Sequence, residues 1–201
     1  MSLSKQELDL YSNQILEDYD AKKPSQIFKN KVKISNEDAL LIQNKVTELR
    51  VSRGEEIIGY KIGCISKDTQ KKMDLSHPAK GTLWKHELHQ SGVELNKKDY
   101  FNPAMEAEFG IILNRDINPE SVSFDYILES VQSIYPLIEI HNLVFNGEAP
   151  NGAELLANNA IHAGVILGPE NKVPNSNEIT DLKLVYDNEV VDKWIDKKWP
   201  F

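Results

Sequence analysis

The chain has 201 residues, 40% hydrophobic and 27% charged, enough to bury a substantial core. Its 23 Lys and Arg against 31 Asp and Glu leave a formal charge of −8, which excludes a general nucleic-acid or anionic-membrane binder, because phosphate contacts need clustered basic residues. Cys64 is the sole cysteine, which excludes an intrachain disulfide and a Cys-rich zinc site and points to a reducing compartment, the cytoplasm.

The N-terminal stretch MSLSKQELDLYSNQILEDYD is polar and amphipathic, without the apolar core of a signal peptide, and no later run is long enough to span a bilayer. Leu8, Tyr11, Ile15 and Tyr19 recur at helical spacing over residues 5–20. Ser35-Asn36-Glu37-Asp38 resembles a capping box and opens a second helix, with Ala39, Ile42, Val46 and Leu49 as its apolar stripe and Gly54 as its stop. The pattern then changes. IIGYKIG (57–63) reads as a strand, residues 64–100 as a long irregular segment with Pro78 and Gly81, and PAMEAEFGIIL (103–113) as a buried strand. A helix is predicted over Phe124, Ile127, Leu128 and Val131, then a strand at PLIEIHN (136–142). Asn146-Gly147, Pro150 and Asn151-Gly152 mark a loop, followed by a short helix at 153–159 and strands at 161–167 and 182–187. No internal repeat or linker is evident. Helices first and strands later predict an α+β fold in a single domain, 1–201, with a helical region to residue 53 and a β-rich region beyond.

Side chains alternate along a strand, so Glu106 and Glu108 share a face. Two like charges so close on a buried face repel unless a cation or hydrogen-bond donors compensate. A solvated antiparallel face is the plainer alternative, but Gly110 and Ile112 do not continue a polar face. Glu139, flanked by Ile138 and Ile140, is a third carboxylate in an apolar strand. Three carboxylates on adjacent strands would suit a hard cation, Mg²⁺ or Mn²⁺. Lys61 stands in IIGYKIG with Gly59 and Gly63 as same-face neighbours. It reads either as an edge-strand lysine that discourages aggregation or as a cation beside a metal site, able to carry a proton.

GYKIGCIS (59–66), PAMEAEFGIIL, PLIEIHN and ANNAIHAGVILGP (157–169) resemble, in order and spacing, the 2-keto-4-pentenoate hydratase and 4-oxalocrotonate decarboxylase family of the fumarylacetoacetate hydrolase superfamily. The resemblance runs from the N-terminal helices to about residue 190. It implies a mixed β-roll carrying a helical N-terminal region, and a homo-oligomer. It implies Glu106, Glu108 and Glu139 as ligands to Mg²⁺ or Mn²⁺, with Lys61 near the reacting oxygen. The implied substrate is a small anionic 2-oxo or 2-hydroxy-dienoate acid. The implied reaction is water addition through an enolate that the metal stabilises, giving a 4-hydroxy-2-oxo acid. Decarboxylation of a 4-oxalocrotonate-type acid and acylpyruvate-type hydrolysis are the alternatives with the same parts.

Departures from the family pattern shape further expectations. Members commonly carry Pro-Asp-Phe-Gly where this chain has Pro78-Ala79-Lys80-Gly81, so either nearby Asp74 or His77 substitutes or the proton chemistry differs. Asn158-Asn159 replaces Asp-Asn. His141-Asn142-Leu143 replaces Asp-Ser-Arg, which removes an arginine suited to a second substrate carboxylate and makes His141 a candidate acid or base. Members also run several tens of residues further, so the chain is expected to be C-terminally short. Ala79, Asn158 and that short end define a third reading, a catalytically degenerate structural or regulatory homologue.

Overall fold

The computed structural model describes residues 2–30, 32–145, 151–174 and 178–199. The turn signals at Asn146-Gly147 and Pro150, and the terminal Pro200-Phe201, lie outside the described residues. In chain order the elements are α1 (Lys5–Asp20), α2 (Gln26–Lys29), α3 (Asn36–Ser52), β1 (Ile57–Gly63), α4 (Lys67–Lys72), β2 (Ala79–Trp84), β3 (Leu88–Gln90), β4 (Pro103–Leu113), α5 (Phe124–Glu129), β5 (Val131–Asn142), α6 (Gly152–Ala157), β6 (His162–Leu167), β7 (Ile179–Tyr186) and β8 (Glu189–Lys198). The fold is α+β, and the chain divides into two compact units. No helix among the described residues is long and apolar enough to cross a membrane.

The first unit comprises Met1–Leu88, Glu94–Ala104 and Ile140–Gly164. Its helices start where polar side chains satisfy the free N–H groups of the first turn. At α1 the Ser4 hydroxyl accepts from the Glu7 N–H while the Glu7 carboxylate accepts from the Ser4 N–H, a complete capping box. At α3 only half of the expected box forms: Ser35 accepts from the Asp38 N–H at 3.1 Å. The Asp38 carboxylate accepts instead from the Ser35 hydroxyl and from the Leu3 N–H. Gly54, at φ +96°, follows the end of α3 in a conformation that other residues resist.

Ile15, Ile27, Ala39, Ile42, Leu155 and Leu156 belong to the core of this unit. Ile42 and Leu156 are fully enclosed, and burial of each stabilises the fold by about 1.5–3 kcal/mol. Beside the core lies a buried charge cluster. The Arg50 guanidinium is stacked between the rings of Tyr19 and Trp84, at 4.5 and 4.1 Å. Its Nη2 donates to Glu87 at 2.7 Å and approaches Glu55 at the same distance, and the Tyr19 hydroxyl also donates to Glu87.

The second unit comprises His89–Val93, Met105–Glu139 and Val165–Phe201. It holds the greater part of a four-stranded sheet of order β3-β6-β5-β4, and the β7–β8 hairpin. Asp187 and Asn188 turn the hairpin at φ +49° and +65°, the double left-handed geometry that favours Asn and Asp in two-residue loops. Val131, Ile134 and Trp199 form its buried core, and Phe109 meets Trp194 edge to face at 5.5 Å between centroids.

Four expectations change. The segment 64–100 is not simply irregular: it contains α4, β2 and β3. Pro78 and Gly81 suggested a loop, but β2 takes its regularity from antiparallel pairing with β1, a long-range partner. β5 begins at Val131 rather than 136, and β8, too charged to read as a strand, is held by its hairpin partner. PAMEAEFGIIL is a strand but not a buried one. It lies at the end of the sheet order, with Ile111, Ile112 and Leu113 at least 43% exposed.

Candidate metal centre

Glu106, Glu108 and Gly110 follow one another on one face of β4, and Leu137, Glu139 and His141 on one face of β5, by strand alternation. The two strands are neighbours in the sheet. Gly110 lets them close: a Cβ there would stand 2.7 Å from Leu137 Cδ2. The end of β5 is pinned where the Asn142 side chain accepts from the Phe101 N–H at 3.0 Å and the Leu143 N–H donates to the Asn102 carbonyl at 3.2 Å.

Among the described residues, Glu106, Glu139 and His141 each offer a ligand atom within 4.8 Å of the others. Glu139 is 2% exposed and His141 5%, while Glu106 is exposed. Two carboxylates and an imidazole make a hard-to-borderline donor set that suits Mg²⁺ or Mn²⁺, with the imidazole favouring the latter. The donor set itself fits a cation, and the burial of Glu139 and His141 would shield a bound ion from water on their side. Of the three carboxylates singled out in the sequence, Glu106 and Glu139 come together. Glu108, half-buried on the same strand face, is not in the group. His141, expected as an acid or base, stands instead among the ligand candidates.

Lys61 lies in the first unit, on the half-buried face of β1 with Ile57, Gly59 and Gly63, opposite Gly81 of β2. Ile58, Tyr60 and Ile62 occupy the exposed face. Ala79 is fully buried at the head of β2, opposite Gly63, and offers a methyl group where a carboxylate was sought. The two proposed substitutes are exposed loop residues. Asp74 (φ +53°) lies on the wall of a cleft formed with Asn36, Leu75 and Gly152, and its carbonyl accepts from Asn36. The His77 ring nitrogen Nδ1 stands 2.9 Å from the Pro78 carbonyl. Lys61 does not line the Asp74 cleft.

One feature near Lys61 escaped the sequence reading. Asn159, Ala160 and Ile161 have φ of +56°, +50° and +57°, three consecutive non-glycine residues in the left-handed region. Each such residue costs on the order of 1–3 kcal/mol. The turn is held by Asn159, whose Oδ1 accepts from the Thr82 N–H at 2.7 Å and whose Nδ2 donates to the Thr82 carbonyl at 2.9 Å. Asparagine is the residue type that most tolerates this backbone after glycine, but nothing in Ala160 or Ile161 announces it.

No family model matches the chain. Curated relatives do. It is 26% identical over 168 residues to the 2-oxo-hept-4-ene-1,7-dioate hydratase of Escherichia coli, covering 80% of this chain and 62% of that protein. It is 28% identical over 149 residues to the 2-keto-4-pentenoate hydratase of Paraburkholderia xenovorans, covering 74% and 54%. The chain thus spans between about half and three-fifths of these relatives' length. Among solved structures, 4-oxalocrotonate decarboxylase from Pseudomonas putida, complexed with magnesium and adipate, superposes with a TM-score of 0.84 at 16% identity, covering 97% of this chain and 75% of that one. Its calcium and acetate complex gives 0.82. The structural likeness shows the fold. The chain therefore resembles the 2-keto-4-pentenoate hydratases in sequence and the decarboxylase in fold.

Proposed function

We propose that the protein is a divalent-metal-dependent hydratase that converts a 2-hydroxy-2,4-dienoate to a 4-hydroxy-2-oxo acid. The observation that carries this reading is the convergence of Glu106, Glu139 and His141 within 4.8 Å in a chain whose curated relatives are hydratases. These three residues would hold the cation, Mg²⁺ or Mn²⁺, and the magnesium and calcium complexes of the solved neighbour support that class of ion. When bound, the cation supplies Lewis-acid polarisation of the substrate's 2-oxygen. Lys61 carries protons: the enol O–H loses one, C5 gains one, and a 2-oxo-3-enoate results. Water oxygen then adds at C4 and a proton at C3, which balances the atoms. Asp74 and His77, both exposed, are weaker candidates for the second proton transfer than Lys61.

The substrate is a small anionic 2-oxo acid, and a homo-oligomer in the cytoplasm is the working form. The roll architecture of the fumarylacetoacetate hydrolase superfamily is the finer fold consistent with the structural likeness. Hydration of 2-hydroxypenta-2,4-dienoate that EDTA abolishes and Mg²⁺ or Mn²⁺ restores is the expected result, followed by loss of dienoate absorbance. A metal-loaded protein that releases CO₂ from a 4-oxalocrotonate-type acid and leaves the dienoate untouched would favour the decarboxylase instead. Metal binding without turnover of either would favour the degenerate homologue, which Ala79 and Asn158 motivate.

A further inference from the structure

The side-chain path of Lys61 is defined by what its neighbours lack. A Cβ added at Gly81, directly opposite, would stand 3.0 Å from Lys61 Cγ and 3.2 Å from Cδ. A Cβ added at Gly63 would stand 3.1 Å from Lys61 Nζ. The stem therefore crosses Gly81 and the ammonium reaches the Gly63 end of the strand, along a floor of two glycines. The other side of Gly81 is occupied as well: the same added Cβ would come within 2.6 Å of the Asn159 carbonyl oxygen. Gly81 is thus held between the stem of Lys61 and the left-handed turn that Asn159 begins.

Asn159 also fixes the backbone next door. Its amide receives the Thr82 N–H and donates to the Thr82 carbonyl, as a third strand would on that edge of β2. The turn is anchored in its own right. The Ile161 N–H donates to the Asn158 carbonyl at 2.8 Å, and the Asn158 side chain accepts from Ser25 and donates to the Glu154 carbonyl. Thr82 and Ala160 are 3% and 2% exposed, so water offers no substitute partner.

We infer that Asn159 is the positioning residue for Lys61. It clamps β2 at Thr82 and Gly81, and that backbone sets where the lysine's stem and ammonium lie. The catalytic consequence rests on the hydratase reading; the positioning itself does not.

The test compares Asn159→Gly with Gly63→Ala and the parent. Glycine keeps the left-handed backbone without strain and removes only the clamp, so the variant is expected to fold. Gly63→Ala crowds the ammonium from the other end and leaves the clamp intact. The first readout is the rate of Lys61 acetylation by acetic anhydride across pH, followed by peptide mass spectrometry, with exposed Lys80 on the paired strand β2 as internal reference. Both variants should change the Lys61 rate relative to Lys80 by about fivefold or more, with the pH midpoint displaced. The dienoate hydration rate should fall about tenfold to a hundredfold in kcat with KM little changed, as expected for sub-ångström misplacement of a reacting group. An unchanged Lys61 rate and midpoint in a folded Asn159→Gly protein would overturn the inference. A changed Lys61 rate in a protein with no hydratase activity would uphold it and count against the proposed function alone. Should Asn159→Gly not fold, Asn159→Asp retains one acceptor for the Thr82 N–H, and an unaltered Lys61 profile in it has the same negative force.

Discussion

Glu139 and His141 are the side chains on which the metal reading turns, because both are enclosed and both belong to the cluster. Glu139→Gln and His141→Ala are expected to weaken Mn²⁺ binding at least about a hundredfold by titration calorimetry, since even supporting residues around a metal are worth tenfold to a hundredfold. Glu106→Gln should cost more than Glu108→Gln. The reverse order would restore the Glu-x-Glu pair suggested by the sequence and displace His141. A second residue-scale expectation concerns Glu55. Burial works against its carboxylate, but hydrogen bonds and charge from Arg50, then Arg53, outweigh that and hold its pKa below the ordinary 4.5. A carboxylate depressed in the folded state lends stability above its unfolded value and loses it as pH falls through the folded value. Melting temperature should therefore drop as pH falls below 4.5, more steeply in the parent than in Glu55→Gln. Much of the candidate site was legible at this scale: alternation alone put Glu106, Glu108, Glu139 and His141 on their strand faces. The proximity of His141 to Glu106 was not, because strand register is decided by pairing and not by either strand's own sequence.

Among elements, the paired segments separate what sequence pattern can and cannot convey. α1 and α3 announce themselves through their apolar stripes, and α3 also through Ser35, since caps and periodicity are local. β2 and β8 do not. Pro78 and Gly81 punctuate the first, and Asp192, Lys193, Asp196 and Lys198 charge the second, so each exists because a partner strand supplies its hydrogen bonds. Between α1, α3 and the segment after β2, the Arg50–Glu87 pair is a buried cross-link open to mutation. Glu87→Gln leaves a guanidinium 3% exposed without its full charge partner. Breaking a buried pair from one side typically costs about 3–5 kcal/mol, and urea unfolding of this variant should show a loss of that order. A loss below ~1 kcal/mol would mean that Glu55 alone satisfies Arg50.

For the whole chain, the two compact units differ in what they bury. Among the described residues, the first encloses eleven core hydrophobics in one cluster, and the second three in its own. Native-state hydrogen exchange should accordingly show α3 and α6 protected longest and the β7–β8 hairpin exchanging early, because local stability follows buried apolar contact. Equal protection in both would show that something covers Val190, Val191 and Ile195 in solution, and self-association measured by sedimentation would identify a second copy as that cover. Lastly, Thr82 and Asn159 stand 77 positions apart. Closing so long a loop carries an entropic cost that local helices avoid, so this amide lock should be among the last contacts to form. A refolding chain would regain its helical signal before Lys61 reached its working position, and the delay between circular dichroism and recovered Lys61 reactivity would time the closure.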